Sequence, residues 1–221
     1  MGSDATIATL TAWAEECSRS HSKCPSSPSL LPKRVLLIDN RTSPPTVRLH
    51  EPSNEKSRYI CLSYCWGQVR PACLTYTSTL EANRLSIPWH TLPKMFQDAV
   101  MVITRLGLYH LWIDSMCIIQ DDTQDWRAES AKMGSIYGNA FLTLCAASAH
   151  DSNEGLFVQR PRHSEPRPIA VRTDGSPVFI RRRHSHPYWN SDLSDQTQSE
   201  FPLLSRAWAY QESLLSSRVV Y

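Results

Sequence analysis

Three acidic side chains stand where apolar neighbours are expected to bury them. Glu129 lies three residues after a tryptophan and four before a methionine, and Glu212 lies four after a tryptophan and three before a leucine. At that spacing each glutamate shares the apolar face of a helix. Asp114 follows an apolar run. Because burying a carboxylate is costly unless something compensates, Glu212 and Glu129 are our candidate catalytic residues, and Asp114 is a candidate binding residue.

Polar and aromatic residues follow two predicted strands at their carboxyl ends. Tyr64, Trp66 and Gly67 end one strand, and Asp114 and Ser115 end the next. Ligands of open parallel sheets bind just beyond those ends, so all five are candidate substrate-binding residues. Each acid taken alone is explained as well by an ion pair or a helix cap. Several acids that meet at one sheet edge indicate a site.

Two other patterns carry weaker signals. Cys17, His21 and Cys24 could supply three zinc ligands, but a fourth is not evident nearby and structural zinc sites normally have four. We therefore favour a helix end whose thiols pack inward, and we expect no metal site. The arginines within 181–186 are typical of solvated charge, because no aromatic residues of the stacking kind alternate with them. No specific nucleic-acid partner is expected.

The elements that must position these residues alternate along the chain. A continuous apolar strand is predicted over Tyr59–Gly67, a helix over Leu92–Leu106, a second strand over Tyr109–Ile119, a second helix over Asp125–Ala140 and a third strand over Phe141–Ala149. This order predicts an α/β fold with a mostly parallel sheet and helices on both faces. The carboxyl ends of the first two strands should lie side by side.

The remaining regions differ in composition. Residues 1–55 are interpreted as a lead-in segment with a short amphipathic helix and two short strands, and 56–221 as the main domain. Within it, 150–203 is interpreted as a variable, irregular insertion with a strand at 178–180 and a poorly ordered stretch at 187–200. Residues 204–221 predict a helix capped by Ser205 and then the start of a strand, which suggests a longer product.

Composition excludes several classes of protein. The 7 glycines form no dinucleotide-binding fingerprint, P-loop or nucleophile elbow, and no H-E-x-x-H zinc motif is present. The net charge of +2 does not favour nucleic acid. The apolar runs are too short to span a membrane. The 7 cysteines are odd in number and no signal peptide is apparent, which predicts reduced thiols in a cytoplasmic protein.

Several ordered blocks resemble the fungal heterokaryon incompatibility (HET) domain. They are Y-x-x-L-S-Y-C-W-G at 59–67, L-W-I-D-S-x-C-I-x-Q-D-D at 111–122, D-W-x-x-E-x-x-x-M-x-x-I-Y-x-N-A at 125–140 and R-x-W-x-x-Q-E-x-x-L-S-x-R at 206–218. The last block adds Arg206, Trp208 and Gln211 to the candidate binding residues. The resemblance implies a module of non-self recognition that triggers programmed cell death.

The same blocks are distantly similar to the TIR domain, which has a flavodoxin-like sheet. TIR domains open with a strand that ends in a Ser-Tyr pair, matched here by Ser63 and Tyr64, and Asp114 matches the acid of their second strand. Ser63 is therefore also a candidate substrate-binding residue. Their NAD-cleaving members carry a glutamate four residues after a tryptophan, matched by Trp208 and Glu212. The long insertion before this helix departs from that pattern. The resemblance implies NAD as substrate rather than as cofactor.

Two functions remain open at this point. In the first, the domain hydrolyses NAD at the nicotinamide–ribose bond, where one carboxylate can stabilise the developing oxocarbenium charge. In the second, it is a non-catalytic module that associates with itself and recruits a separate executioner. Both imply self-association and an upstream sensor domain or partner. Inward-facing Glu129 and Glu212 favour the enzyme.

Overall fold

The computed structural model describes residues 3–24, 27–68, 70–157, 166–180 and 201–221. The strands are β1 Ser29–Leu30, β2 Val35–Asp39, β3 Thr46–His50, β4 Lys56–Ser57, β5 Ile60–Ser63, β6 His110–Trp112, β7 Leu142–Cys145, β8 Arg167–Val171, β9 Pro177–Ile180 and β10 Val219–Val220. The α-helices are α1 Asp4–Ser20, α2 Leu80–Leu85, α3 Lys94–Arg105, α4 Asp114–Cys117, α5 Thr123–Ser130, α6 Met133–Asn139 and α7 Ala207–Leu215.

The central sheet has six strands in the order β10-β7-β5-β6-β2-β3. The first four are mutually parallel, and every residue of β5, β6 and β7 is buried. Since successive strand residues point to opposite faces, both faces of these strands are covered. β5 and β6 pair in parallel, with Ile60 opposite Leu111 and Cys61 opposite Trp112, which confirms the prediction that their carboxyl ends lie side by side.

The sheet as a whole is mixed, so the expected α/β fold is confirmed, and the expected flavodoxin-like, mostly parallel sheet is not. β2 pairs antiparallel with β6, and β3 pairs antiparallel with β2. Val35, Leu36 and Ile38 of β2 and Val47 and Leu49 of β3 are buried in the main core. Two strands from the segment interpreted as a lead-in therefore extend the same sheet, because their apolar faces need this core for burial.

Helix α3 matches its sequence pattern closely. It buries Met95, Phe96, Ala99 and Ile103 and is followed by Gly107 at φ 71°, the left-handed position that ends a helix. The second predicted helix is divided into α5 and α6 around Ala131 and Lys132. That break changes the helical register, and Trp126, assigned to the apolar stripe, is half exposed.

The predicted strand at 109–119 is wrong beyond residue 112. After β6 the chain enters the single helical turn α4, and Ile118 and Ile119 follow it in irregular backbone. These residues are buried. A short buried helical turn leaves the same apolar signature as a buried strand.

The C-terminal region contains a hairpin and a last helix. β8 and β9 pair antiparallel and are largely exposed, which confirms the strand predicted at 178–180. The stretch 187–200 lies outside the described residues. α7 follows a 3-10 turn at Pro202–Ser205 and has Arg206 at its N-cap position, so the predicted cap at Ser205 is wrong by one residue. The strand predicted to start near the end of the sequence is β10, and it pairs in parallel with β7.

Across the ranges that the structure describes, none of the helices combines the length and the apolar character that crossing a lipid bilayer requires.

Candidate functional site

A cleft of about 470 Å³ opens at the carboxyl ends of β5 and β6. The chain order of the four parallel strands reverses around β5, and such a reversal is where open α/β sheets bind ligands. α7 and the junction of α5 with α6 complete its walls. The side chains that line it are Leu62, Ser63, Tyr64, Trp66, Asp114, Ile118, Gln120, Trp126, Ser130, Ala131, Met133, Tyr137, Leu203, Arg206, Trp208, Ala209 and Glu212.

Glu212 reaches the cleft from the second turn of α7. Its carboxylate accepts a hydrogen bond from the Ser63 hydroxyl at the end of β5. Burial raises the pKa of Glu212 to about 7, and the nearby Asp114 carboxylate adds to this rise. Hydrogen bonds from Ser63 and Tyr137 oppose it. Glu212 is therefore an acid that changes charge near neutral pH while its carboxylate is held in place.

Asp114 faces the same cleft from the first residue of α4. The Trp66 indole N–H donates to its Oδ2 at 3.0 Å, and the backbone N–H of Ser115 donates to its Oδ1 at 2.7 Å. Burial raises the pKa of Asp114 to about 6 in spite of these two donors. Two carboxyl groups thus share one cleft, and each makes ionisation of the other less favourable.

Other predicted residues hold the walls of the cleft. The Tyr64 hydroxyl donates to Ser115 Oγ at 2.7 Å, and its ring packs edge-on against Phe96. The Arg206 guanidinium donates to the Tyr64 carbonyl at 3.0 Å, which ties the start of α7 to the end of β5. Gly67 has φ 75°, and a Cβ there would collide with Asp151. It therefore serves the turn after Trp66 and does not line the cleft.

The structure does not bring every candidate to the cleft. Glu129 is 2 % exposed, and it accepts a hydrogen bond from Lys132 Nζ at 2.9 Å outside the cleft lining. This is the ion-pair explanation that we left open for a single acid. Gln211 is exposed and is not among the lining residues. Trp208 lines the cleft, yet it is 65 % exposed and not on a buried stripe.

Ten of the 17 lining residues were not among the predicted site residues, and four of these ten bear on the chemistry or shape of the cleft. Tyr137 of α6 is buried and hydrogen-bonds Glu212, and Gln120 donates to the backbone carbonyls of Asp114 and Ile118. Trp126 and Met133 flank the α5–α6 junction. The sequence could have indicated Tyr137, because a tyrosine hydroxyl on an otherwise apolar helix face usually needs a buried hydrogen-bond partner.

The ionisable side chains described in the cleft lining are Tyr64, Asp114, Tyr137, Arg206 and Glu212. A metal ion is not favoured there, because within the described ranges the one group of metal-ligand type lies at the end of α1. Two acids with raised pKa values, one arginine and several aromatic rings suit an organic ligand whose reaction passes through a cationic centre.

The HET family profile, described as heterokaryon incompatibility protein, matches residues 59–212, which is more than half of the chain. The chain belongs to this family, as its motif blocks predicted. Membership associates it with fungal heterokaryon incompatibility and the accompanying cell death. Searches among characterised proteins and among solved structures give no match. The matched region contains Ser63, Asp114 and Glu212.

Proposed function

We propose that the cleft binds NAD and hydrolyses the bond between its nicotinamide and ribose, and that this consumption of NAD is how the domain kills the cell. The observation that carries the proposal is Glu212, a partly buried carboxyl group held by Ser63 and Tyr137 and facing Asp114 across one cleft. The similarity of these residues to the TIR pattern supports the choice of substrate.

The lining of the cleft suits a dinucleotide. Trp66, Trp126 and Trp208 offer aromatic faces on which an adenine or nicotinamide ring can stack. Arg206 supplies a permanent positive charge for the pyrophosphate. A volume of about 470 Å³ lies within the range of about 300–1,000 Å³ that is usual for ligand pockets.

The reaction needs little proton transfer, which fits a site built from two carboxyl groups. The C–N bond breaks with its electron pair going to the pyridinium nitrogen, so nicotinamide leaves neutral and needs no acid. Ionised Glu212 stabilises the positive charge that develops on the ribose. Water then bonds to the same carbon and releases one proton, giving ADP-ribose. In this scheme Asp114 raises the pKa of Glu212.

Purified protein incubated with NAD tests the proposal, with nicotinamide and ADP-ribose measured by chromatography. Glu212→Gln keeps size and hydrogen bonding but removes the charge, and we expect it to fold and to lose about 10²-fold or more of the activity. Glu129→Gln is the matched control, because the same exchange is made outside the cleft. If Glu212→Gln keeps full activity and Glu129→Gln abolishes it, the two roles must be exchanged.

The non-catalytic module is favoured by a different observation. α7 exposes Trp208, Tyr210, Leu214 and Leu215 by 65, 45, 66 and 40 %, and exposed apolar groups of this size mark contact surfaces. This function predicts that cells expressing Glu212→Gln still die and that their NAD does not fall. A cell-death assay with parallel NAD measurement therefore separates the two functions.

A further inference from the structure

Cys17, His21 and Cys24 converge at the C-terminal end of α1. Cys17 and His21 are four residues apart and lie on one side of the last turn, with His21 Nδ1 3.3 Å from Cys17 Sγ. The chain then folds back, since the backbone N–H of Cys24 donates to the His21 carbonyl at 3.1 Å. As a result the two sulfurs and an imidazole nitrogen all lie within 4.8 Å of one another.

This arrangement differs from the inward-packed thiols that the sequence suggested. Cys17 and Cys24 are only partly buried and His21 is exposed. The other five cysteines, Cys61, Cys65, Cys73, Cys117 and Cys145, are all buried. Packing therefore explains the five buried thiols, but it does not explain why two accessible thiols and an imidazole meet at one point.

The spacing of the three ligand atoms fits a tetrahedral ion. With Zn–S bonds of about 2.3 Å and Zn–N bonds of about 2.0–2.1 Å, neighbouring ligand atoms are about 3.5–3.8 Å apart. Small side-chain rotations reach that geometry from separations within 4.8 Å. Two thiolates and one imidazole are ligands that Zn²⁺ prefers.

We propose that Cys17, His21 and Cys24 bind one Zn²⁺ through three protein ligands, with the fourth position open to water. Among the described residues no fourth ligand of this type lies with these three. Zinc sites with three protein ligands and a water in the fourth position are well known in proteins. The proposal does not depend on NAD hydrolysis.

The site is connected to the sheet through Arg218. Its guanidinium donates to Ser18 Oγ at 2.9 Å and to the Phe141 carbonyl at 3.0 Å, and it also hydrogen-bonds the Cys17 sulfur. Donors to a ligating sulfur are typical of the surroundings of zinc sites. Because Arg218 lies between α7 and β10, zinc binding here stabilises the attachment of α1 to that edge of the sheet.

The test is metal analysis of untagged protein purified under reducing conditions, by mass spectrometry of elements. We expect about one zinc per chain, and we expect Cys17→Ser, Cys24→Ser and His21→Gln to lose it. His90→Gln and Cys73→Ser are the matched controls and should retain zinc. His21 is exposed, so His21→Gln should fold even if a cysteine variant does not.

Two further measurements keep the result unambiguous. Cobalt added to metal-free protein should give thiolate-to-cobalt absorption in the wild type and in His90→Gln, and not in Cys17→Ser. Added zinc should raise the temperature of unfolding of the wild type and of His90→Gln, and should not raise that of Cys17→Ser. Metal-free protein with both thiols reactive, or an intact-mass decrease that shows a Cys17–Cys24 disulfide in place of bound metal, would overturn the proposal.

Discussion

Two regions of the molecule bury carboxyl groups and shift the pKa values of these groups in opposite directions. In the cleft, burial raises the pKa of Glu212 to about 7 and that of Asp114 to about 6. Beneath β2, burial would also raise the pKa of Asp125, but hydrogen bonds from Arg34 and Lys33 outweigh it and lower that pKa well below its usual range. The difference lies in the partners, because burial acts to raise the pKa of all three acids.

The charged cluster around Asp125 is a structural device. Arg34 is 2 % exposed; it contacts Asp125, donates to the Cys117 carbonyl at 2.7 Å and lies 3.5 Å from Glu51. Asp125 also accepts from the backbone N–H of Ile119 at 3.0 Å. Both carboxylate oxygens of Asp125 therefore accept hydrogen bonds from protein groups, and neither is available to a ligand. In the cleft the carboxyl groups receive hydrogen-bond donors, form no direct ion pair with any residue that the structure describes, and border open volume.

The largest expected effect is on stability, at Asp125. Asp125→Asn leaves the buried guanidinium of Arg34 without its main counter-charge, and removing one member of a buried pair costs about 3–5 kcal/mol. Glu51 and the Cys117 carbonyl still contact Arg34, so we expect the free energy of unfolding, measured by chemical denaturation, to fall by about 3 kcal/mol. Asp39→Asn is the control, because its partner Arg41 is exposed. If Asp125→Asn lowers the free energy of unfolding no more than Asp39→Asn does, the charged cluster does not stabilise the fold.

The sequence predicted the cleft better than it predicted this cluster. Asp114 and Glu212 were found because an acid next to an apolar run signals a buried carboxyl group. Glu129 gave the same signal, but in the structure it is paired with Lys132. Sequence spacing indicates that an acid is buried and does not show which cation pairs with it. Arg34 lies 91 residues from Asp125, and no local pattern reports a contact over that separation.

The fold shows the same division between local and distant information. β5, α3 and β7 follow from apolar periodicity and from end signals within each segment. The antiparallel pairing of β2 with β6 does not, because it joins segments about 74 residues apart in the chain (Leu36 with Leu111 is one such pair). The break between α5 and α6 was also not predicted, because it falls at Ala131 and Lys132, where no proline or glycine stands.

The second expected effect is the opposite pH dependence of stability in the two regions. The pKa of Glu212 is raised from 4.5 to about 7, so the folded protein holds an extra proton between these values and the free energy of unfolding falls as pH rises through them. A rise of this size corresponds to about 3 kcal/mol. Because Glu212→Gln also weakens the hydrogen bonds to the carboxylate, it should stabilise the protein by less than about 3 kcal/mol at pH 8. The pKa of Asp125 is lowered, so its contribution is present above 3.8 and is lost as pH falls.

Denaturation curves from pH 2 to pH 8 check this contrast, because the Asp125 contribution is lost only below pH 3.8. Glu129→Gln is the control. Stability of Glu212→Gln that tracks the wild type at every pH would show that Glu212 is not titrating with a raised pKa in the folded protein.

A smaller effect is expected when Asp114 loses its charge. Its negative charge raises the pKa of Glu212, so Asp114→Asn should move the rising limb of the activity–pH profile below pH 7, by about one pH unit or less. The limb rises with pH because the ionised form of Glu212 stabilises the ribosyl cation. Asp121→Asn, an exposed change on the loop before α5, should leave the limb in place. An upward shift would contradict the assigned arrangement of charges.

The smallest effect is expected at Ser63, where the limb should shift in the direction opposite to that in Asp114→Asn. Its hydroxyl donates to the Glu212 carboxylate and thereby favours the ionised form. Ser63→Ala removes that donor, so the pKa of Glu212 should rise and the limb should move above pH 7, again by about one pH unit or less. Ser135→Ala, on the exposed side of α6, is the matched control. The activity of Ser63→Ala at high pH should recover toward the wild-type value, which distinguishes a shift in the pKa of Glu212 from a loss of the site. Opposite shifts of the limb in Ser63→Ala and Asp114→Asn would identify Glu212 as the group that titrates. Shifts in the same direction would mean that the limb reports another group, and the role of Glu212 would then have to be reassigned.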